Sequence, residues 1–413
     1  FLGIPYYLKE YATFIYSAMS VMEIVVLVYI INTEGNPAFK MTWMLCVMAL
    51  PVIGTVFYIY VHLQLETRFV QNRLAALRME TEPYMDQDEK VTEALWASKS
   101  ANAQLSYYLS HQLGFPTYRN TEVEYFPVGE DKFASMIKEL EKAEKFIFME
   151  YFIVEEGIMW DTILEILKRK VNEGVEVRFM YDGMCAFDLL PYSYPKKLQK
   201  FGIKCKMSNK IRPFVSTIQN NRDHRKICVI DGQTGYVGGV NLADEYINEK
   251  ERFGHWKDTA VLLRGDAVQS LTMIFLQMWE ASKEYDNLDY KKYTPTLKLG
   301  SDIQTLDLTE DRVAEVLKDS EAAGQAEENK TTEKIEAFSD VGIVQPMADG
   351  PANNPNNPIW DTYMNMIGKA KDYIYFTTPY LVLEQEMVHE LCRAAKSGVD
   401  VRIITPRQYD KWY

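Results

Sequence analysis

One α/β unit occurs twice in this chain, and a repeat narrows the possible folds more than composition does. Lys142-Ala143-Glu144-Lys145-Phe146-Ile147-Phe148 matches Lys369-Ala370-Lys371-Asp372-Tyr373-Ile374-Tyr375. Further on, Gly174-Val175-Glu176-Val177-Arg178 matches Gly398-Val399-Asp400-Val401-Arg402. The two matches differ in offset by three residues, a difference expected in a loop. The first copy reads as a helix over Asp131–Ala143, a strand over Lys145–Val154, a helix over Met159–Asn172 closed by Gly174, and a strand over Val175–Tyr181. That order implies an α/β fold, a sheet layered by helices, built as two pseudo-repeated lobes.

Between the copies lies the most polar-patterned stretch of the chain, His224 to Asn241. Apolar β-branched residues alternate through Ile227–Ile230, so a strand is expected, with His224 and Lys226 on one face. Asp231-Gly232 marks a turn, and Tyr236-Val237 begins the returning strand, which ends in Gly238-Gly239-Val240-Asn241. An imidazole, an ammonium and an amide directed at one spot suit phosphoryl transfer. The imidazole attacks phosphorus or moves a proton, while Lys226 and Asn241 hold the non-bridging oxygens. Gly239 lets an anion approach the backbone. The plain alternative is a β-hairpin with a polar turn and a surface histidine.

The pattern His224-x-Lys226-x4-Asp231-x6-Gly238-Gly239-x-Asn241 resembles the HKD motif of the phospholipase D superfamily. Val229-Ile230-Asp231-Gly232, Asp244-Glu245-Tyr246 and Trp256-Lys257-Asp258-Thr259 resemble bacterial cardiolipin synthases in particular. The resemblance implies a phospholipase D-like mixed sheet and a catalytic set of His224, Lys226 and Asp231, although Asp231 can equally brace the hairpin turn. It implies phosphate binding by Lys226, Asn241 and Gly239. By the same similarity Asp258, downstream of the motif, is the carboxylate that orients His224, with a plain strand-edge residue as the alternative. One histidine of a facing pair becomes phosphohistidine and the other serves as general acid, then base. The second lobe reaches Tyr413 before a His-x-Lys of its own, and His389, followed by Glu390-Leu391-Cys392, reads as a helix-face residue.

Two apolar runs precede the lobes. Ala12–Ile31 and Met41–Leu65 are each long enough for a membrane helix, so a two-helix transmembrane hairpin is expected over residues 1–66. Glu23 then faces the other helix or an interface, and His62, near the end of the second run, is poorly placed to meet it. Arg68, Arg73 and Arg78 follow the second run, which puts the catalytic body in the cytoplasm and the N-terminus on the same side. Residues 67–120 read as a linker, 121–308 as the first lobe, 309–340 as a flexible connector and 341–413 as the start of the second lobe. The connector holds ten acidic and four basic residues. A chain that begins at Phe1 and stops at Tyr413 is read as a piece of a longer protein, inactive by itself.

A net charge of -13 argues against a general nucleic-acid binder. The five cysteines are scattered and odd in number, so neither a disulfide framework nor a zinc site is expected. No phosphate-cradling loop or metal cluster stands out, and no cofactor is expected. Against the acidic background, Leu189–Arg222 carries Lys196, Lys197, Lys200, Lys204, Lys206, Lys210, Arg212 and Arg222 with no acidic residue. That stretch suits attraction of anionic head groups, or else is a solvated face. Pro213-Phe214, Tyr192 and Tyr194 add candidate interfacial contacts. The resulting expectation is a multi-pass enzyme of the bacterial cytoplasmic membrane. It joins two phosphatidylglycerol molecules into cardiolipin and releases glycerol, with phosphatidylglycerol and other anionic phospholipids as partners. The alternatives are a phospholipase D-type hydrolase and a catalytically silent membrane scaffold. Oligomeric state and acceptor alcohol stay open.

Overall fold

The computed structural model describes residues 12–33, 35–63, 65–85, 87–97, 100, 102–210, 222–282, 286–294, 342–350 and 358–407. The expected acidic connector, Arg212 and Pro213-Phe214 lie outside the described residues. The chain divides into two compact units, the N-terminal helices up to Phe69 and a body that begins at Val70.

In the N-terminal unit, α1 (Ala12–Asn32) is the one described helix long and apolar enough to cross a bilayer. The second apolar run forms two helices, α2 (Pro37–Ala49) and α3 (Pro51–Leu63), and this corrects the expected two-helix hairpin. Pro51 has no N–H to continue the ladder, and Leu50 leaves helical geometry at φ -132° and ψ 70°. The chain doubles back there. Trp43 meets Phe57 at 5.5 Å and Tyr58 at 5.4 Å between ring centroids. Gly54 lies so close to the Cys46 carbonyl that a Cβ would sit 2.4 Å from its oxygen. Val26, Ile30, Val47 and Tyr58 form the small core of the three helices.

The body is built on a seven-stranded mixed sheet. Its strands are β1 (Thr121–Phe126), β2 (Phe146–Tyr151), β3 (Glu176–Asp182), β4 (Lys204–Ser208), β5 (Ile227–Ile230), β6 (Thr234–Gly238) and β7 (Ala260–Gly265), in the order β1-β7-β6-β5-β2-β3-β4. The β2–β3–β4 side is parallel and the β5–β6–β7–β1 side antiparallel. All six residues of β2 are buried, because it is central and covered on both faces. Alternate residues serve opposite layers. Ile147, Met149 and Tyr151 pack in one core with Met136, Leu140, Trp160 and Leu167 from the helices over Gly129–Glu141 and Ile158–Asn172. Phe146 and Phe148 face the other core, around the wholly buried helix over Val268–Ala281. Leu74, Leu77, Met85, Phe115 and Tyr118 belong to that second core. The stretch expected as a linker therefore packs against the helix over Val268–Ala281.

The repeat is visible in the pairing. Strands β8 (Tyr373–Thr377) and β9 (Asp400–Ile404) are parallel with Tyr373 opposite Asp400, as Phe146 lies opposite Glu176 in the first lobe. The expectation that the three-residue difference falls in a loop is corrected. The intervening helix has 15 residues in the first lobe (Ile158–Asn172) and 12 in the second (Gln385–Lys396), close to one turn fewer. His389 is exposed on that second helix. The stretch before the first lobe meets the second through a Tyr118–Val344 bridge, Gln345 donating to the Phe115 carbonyl at 2.7 Å, and Tyr108 donating to Asp361.

Candidate active site

The site forms where β2 ends. Tyr151 is the last residue of the strand, and Phe152 follows it as a platform. The Asn241 side chain fixes the chain just past that platform, its Oδ1 accepting the Ile153 N–H at 2.9 Å. The backbone carbonyl of Phe152 accepts the Cys185 thiol at 3.1 Å. Against Phe152 stand the two residues first read as sharing a face. The His224 ring lies 4.6 Å from the Phe152 ring, and Lys226 Nζ lies 5.3 Å from it. The described ladder begins only at Ile227, so both side chains project from the segment that leads into β5. Lys226 Nζ donates to the His224 carbonyl at 2.6 Å, tying the pair together.

His224 is exposed, yet Phe152 and the neighbouring ammonium disfavour a charged ring. Burial of its inner side and the Lys226 charge lower it to about 4, against a smaller opposing pull from Asp223. Lys226 is 5% exposed, and burial lowers it to about 8 while Asp223, Asp258 and Asp182 hold part of the charge in place. A neutral nucleophilic ring beside an ammonium that retains its proton near neutrality can attack phosphorus and bind the resulting charge.

Other expected site residues are placed differently. Asp231 sits at the far end of β5, where its carboxylate accepts the backbone N–H groups of Glu144, Lys145 and Phe146 at 2.8, 2.7 and 2.8 Å. At φ 55° it forms the turn with Gly232 at φ 68°. Asp231 is a brace between hairpin and β2, not a member of the catalytic cluster. Asn241 is buried, and its Nδ2 donates to the Tyr246 hydroxyl at 2.8 Å, which leaves one N–H of the amide for an anion. The N–H of Gly239 goes to the Thr259 carbonyl at 2.9 Å. A Cβ at Gly239 would lie 2.0 Å from Asp258 Oδ1, so the glycine makes room for a carboxylate where an anion was expected. Asp258 bonds the Thr259 N–H at 2.8 Å and the Trp256 side chain, and it faces Lys226 and Lys132. Burial raises Asp258, with those four neighbours opposing. The carboxylate that pulls on His224 is Asp223.

Several groups around the site were missed. Lys132 is 2% exposed, its Nζ 3.2 Å from the Tyr151 hydroxyl, and burial lowers it to about 8. It occupies the buried stripe of its helix with Met136 and Leu140, at the i, i+4, i+8 positions, so helical periodicity would have marked it. Glu150 is fully buried on β2, the one charged residue in an apolar run, and Arg225 Nη1 approaches its Oε1 at 3.5 Å. Glu150 Oε2 has no hydrogen-bond partner. Burial and the nearby Asp223 raise Glu150 well above the usual carboxylate range, with Arg225 opposing. Asp182 is also buried. It accepts the Asp223 N–H at 3.0 Å and lies 3.3 Å from Arg222.

The basic stretch before the motif is largely spoken for. Lys197 pairs with Glu156 at 2.6 Å, Lys204 with Glu176 at 2.8 Å and Arg222 with Asp182. Lys206, expected on an exposed strand face, is 7% exposed and lies 4.6 Å from the Trp279 ring centre and 3.4 Å from Asp286. Tyr194, considered for an interfacial contact, is buried and accepts the Trp160 indole N–H at 2.6 Å. Tyr192, Lys196, Lys200 and Lys210 are exposed. His255 is exposed as well.

The family model described as "Cardiolipin synthase, PLD-like domain" matches residues 136–279 and 363–413. An uncharacterized protein of Streptococcus mutans is 42% identical over 93% of this chain and 74% of its own length. A cardiolipin synthase of Alkalihalophilus pseudofirmus is 30% identical over 95% of this chain and 70% of its own length. Among solved structures, the phosphatidylserine synthase of Haemophilus influenzae aligns over 75% of this chain and 66% of its own, at 14% identity and a TM-score of 0.44. The matched segments take in both lobes and the paired His224 and Lys226, and on the extent of the sequence identity this chain belongs to the cardiolipin synthase family of phospholipase D-like proteins.

Proposed function

We propose that this protein is a membrane phosphatidyltransferase that makes cardiolipin from two phosphatidylglycerol molecules and releases glycerol. The observation that carries the reading is the neutral His224 ring held beside the Lys226 ammonium on Phe152. Kinship with cardiolipin synthases supplies the substrate class. The ring attacks the phosphorus of the first phosphatidylglycerol. A P–N bond forms, and the P–O bond to the terminal glycerol breaks. The departing alkoxide takes a proton from an acid facing His224 across the phosphorus. A hydroxyl of the second phosphatidylglycerol then attacks, its proton leaves to that same group, and the P–N bond breaks. One phosphodiester replaces another, so the exchange needs no nucleotide. Lys226 and the remaining Asn241 N–H hold the non-bridging oxygens. Asp258 and Lys132, behind Lys226, balance the charges of this half of the site.

The test uses membrane vesicles from cells that make the protein, supplied with labelled phosphatidylglycerol. Cardiolipin and free glycerol should form in equal amounts. His224→Ala should lower that output by on the order of 10⁴-fold. Phosphatidic acid as the main product would favour hydrolysis instead, and full output from the alanine variant would remove His224 from the chemistry.

A further inference from the structure

The N-terminal unit was expected to cross a membrane twice, but its helices are arranged for one crossing and a return. Helix α1 has 21 residues and is about 32 Å long, while α2 and α3 have 13 residues each and are about 20 Å long. Hydrocarbon is about 30 Å thick, so α1 can span it and neither α2 nor α3 can. The Tyr29 hydroxyl meets His62 Nε2 at 3.0 Å, with the rings 5.4 Å apart. In an antiparallel two-helix hairpin His62 would stand near the start of α1, about 25 Å from Tyr29 along the axis. The contact instead places the end of α3 level with the end of α1.

The two ends of the short pair differ in polarity. At one end Lys40 Nζ donates to the Ile31 and Thr33 carbonyls at 2.8 Å each, and Asn36 caps the Ala38 N–H. Together with His62, these groups suit a water interface. The opposite tip is apolar and open, with Met48, Leu50 and Ile53 all more than half exposed. Its backbone is largely satisfied from within, as Leu50 N–H reaches the Cys46 carbonyl and Gly54 N–H the Leu50 carbonyl. Pro51 lacks an N–H altogether. A break in helix at membrane depth requires such internal satisfaction. Phe14, Val25 and Phe57 continue the exposed apolar surface around the three helices.

We propose that this surface is covered by lipid acyl chains, with α1 as a full crossing and α2–α3 as a re-entrant pair whose tip stays inside the bilayer. The chain then leaves α3 on the side where α1 ends. The chain therefore enters α1 and leaves α3 on opposite sides of the membrane, contrary to the arrangement expected from the sequence.

Thiol labelling in right-side-out and inverted vesicles from cells making the whole protein tests this. The exposed cysteines are first removed as C46S and C392S, leaving the buried ones. Single reporters are then placed by Ala38→Cys at the polar end and Glu173→Cys on the body. A membrane-impermeant maleimide should label both reporters to the same extent in one vesicle orientation and neither in the other. Labelling in opposite orientations would show that α2–α3 crosses as one span and would overturn the proposal. Failure of Ala38→Cys to label from either side would overturn it too, since that end must meet water. A third reporter, Leu50→Cys, should stay unlabelled in both orientations, and its labelling from either side would exclude a tip held in lipid.

Discussion

The protonation states of three side chains, and the hydrogen bonds of a fourth, make the site testable one residue at a time. His224 is neutral above about 4 and Lys226 is charged below about 8. The proposed attack needs both conditions, so kcat/KM should be flat between those values, fall as pH rises past about 8, and fall again toward pH 4. The free-enzyme profile from initial rates checks this, and Lys226→Arg should remove the alkaline limb. Glu150 is the reverse case. Its raised value means that the folded state keeps a proton which the unfolded chain has already lost. The stability this provides is present at low pH and disappears as pH rises through the folded value. A protonated carboxyl also explains Oε2 without a donor, since it can itself donate toward Asp223. Glu150→Gln should therefore melt close to the parent at acid pH and lose less stability on the alkaline side. Were Glu150 an anion needed by Arg225, the same change would cost about 3–5 kcal/mol. Asp231→Ala should cost about 2 kcal/mol in denaturant titration, because three backbone N–H groups lose their acceptor, with little change in KM. The motif itself was legible in the order of residues. A bracing Asp231 was one of its two readings, but that Asp258 faces lysines was not legible, because spacing along a strand does not say which partner waits at each end.

Among the elements, the hairpin formed by β5 and β6 shows how a glycine pair can be misjudged. Gly238-Gly239 suggested room for an anion, but the space is filled by the β7 backbone and the Asp258 carboxylate. Gly239→Ala should leave melting within a few degrees, since a side chain can rotate away, while turnover falls as Asp258 is pushed from Lys226. Equal losses in stability and turnover would assign the glycine to packing alone. The strands and helices of the first lobe follow their hydrophobic periods closely, with shifts of one to three residues at the ends. The second apolar run did not follow its period. Hydropathy sees a continuous apolar stretch, whereas Pro51 and the close approach at Gly54 turn it back on itself. Composition measures affinity for lipid and is blind to direction.

At the scale of the molecule, the Arg225 side chain ties motif to second lobe. Its Nη2 donates to the Gly350 carbonyl at 2.6 Å while Nη1 faces Glu150. Arg225 thus couples the strand that precedes Phe152 to the segment leading into the second lobe. Its replacement by Gln should loosen that segment, seen as faster amide exchange near residues 344–350, before it lowers the melting point. Duplication was readable because both copies keep the same corner residues. The place of the three-residue difference was not, since helices and loops of similar polarity look alike in a string. Phe146–Glu176 and Tyr373–Asp400 keep one register although the helix between the strands is a turn shorter in the second copy. Pairing between strands is thus the conserved quantity, and helix length is the quantity free to drift. An engineer who grafts a helix of another length into either lobe is altering the wrapping, while the seam between its parallel strands stays where it was.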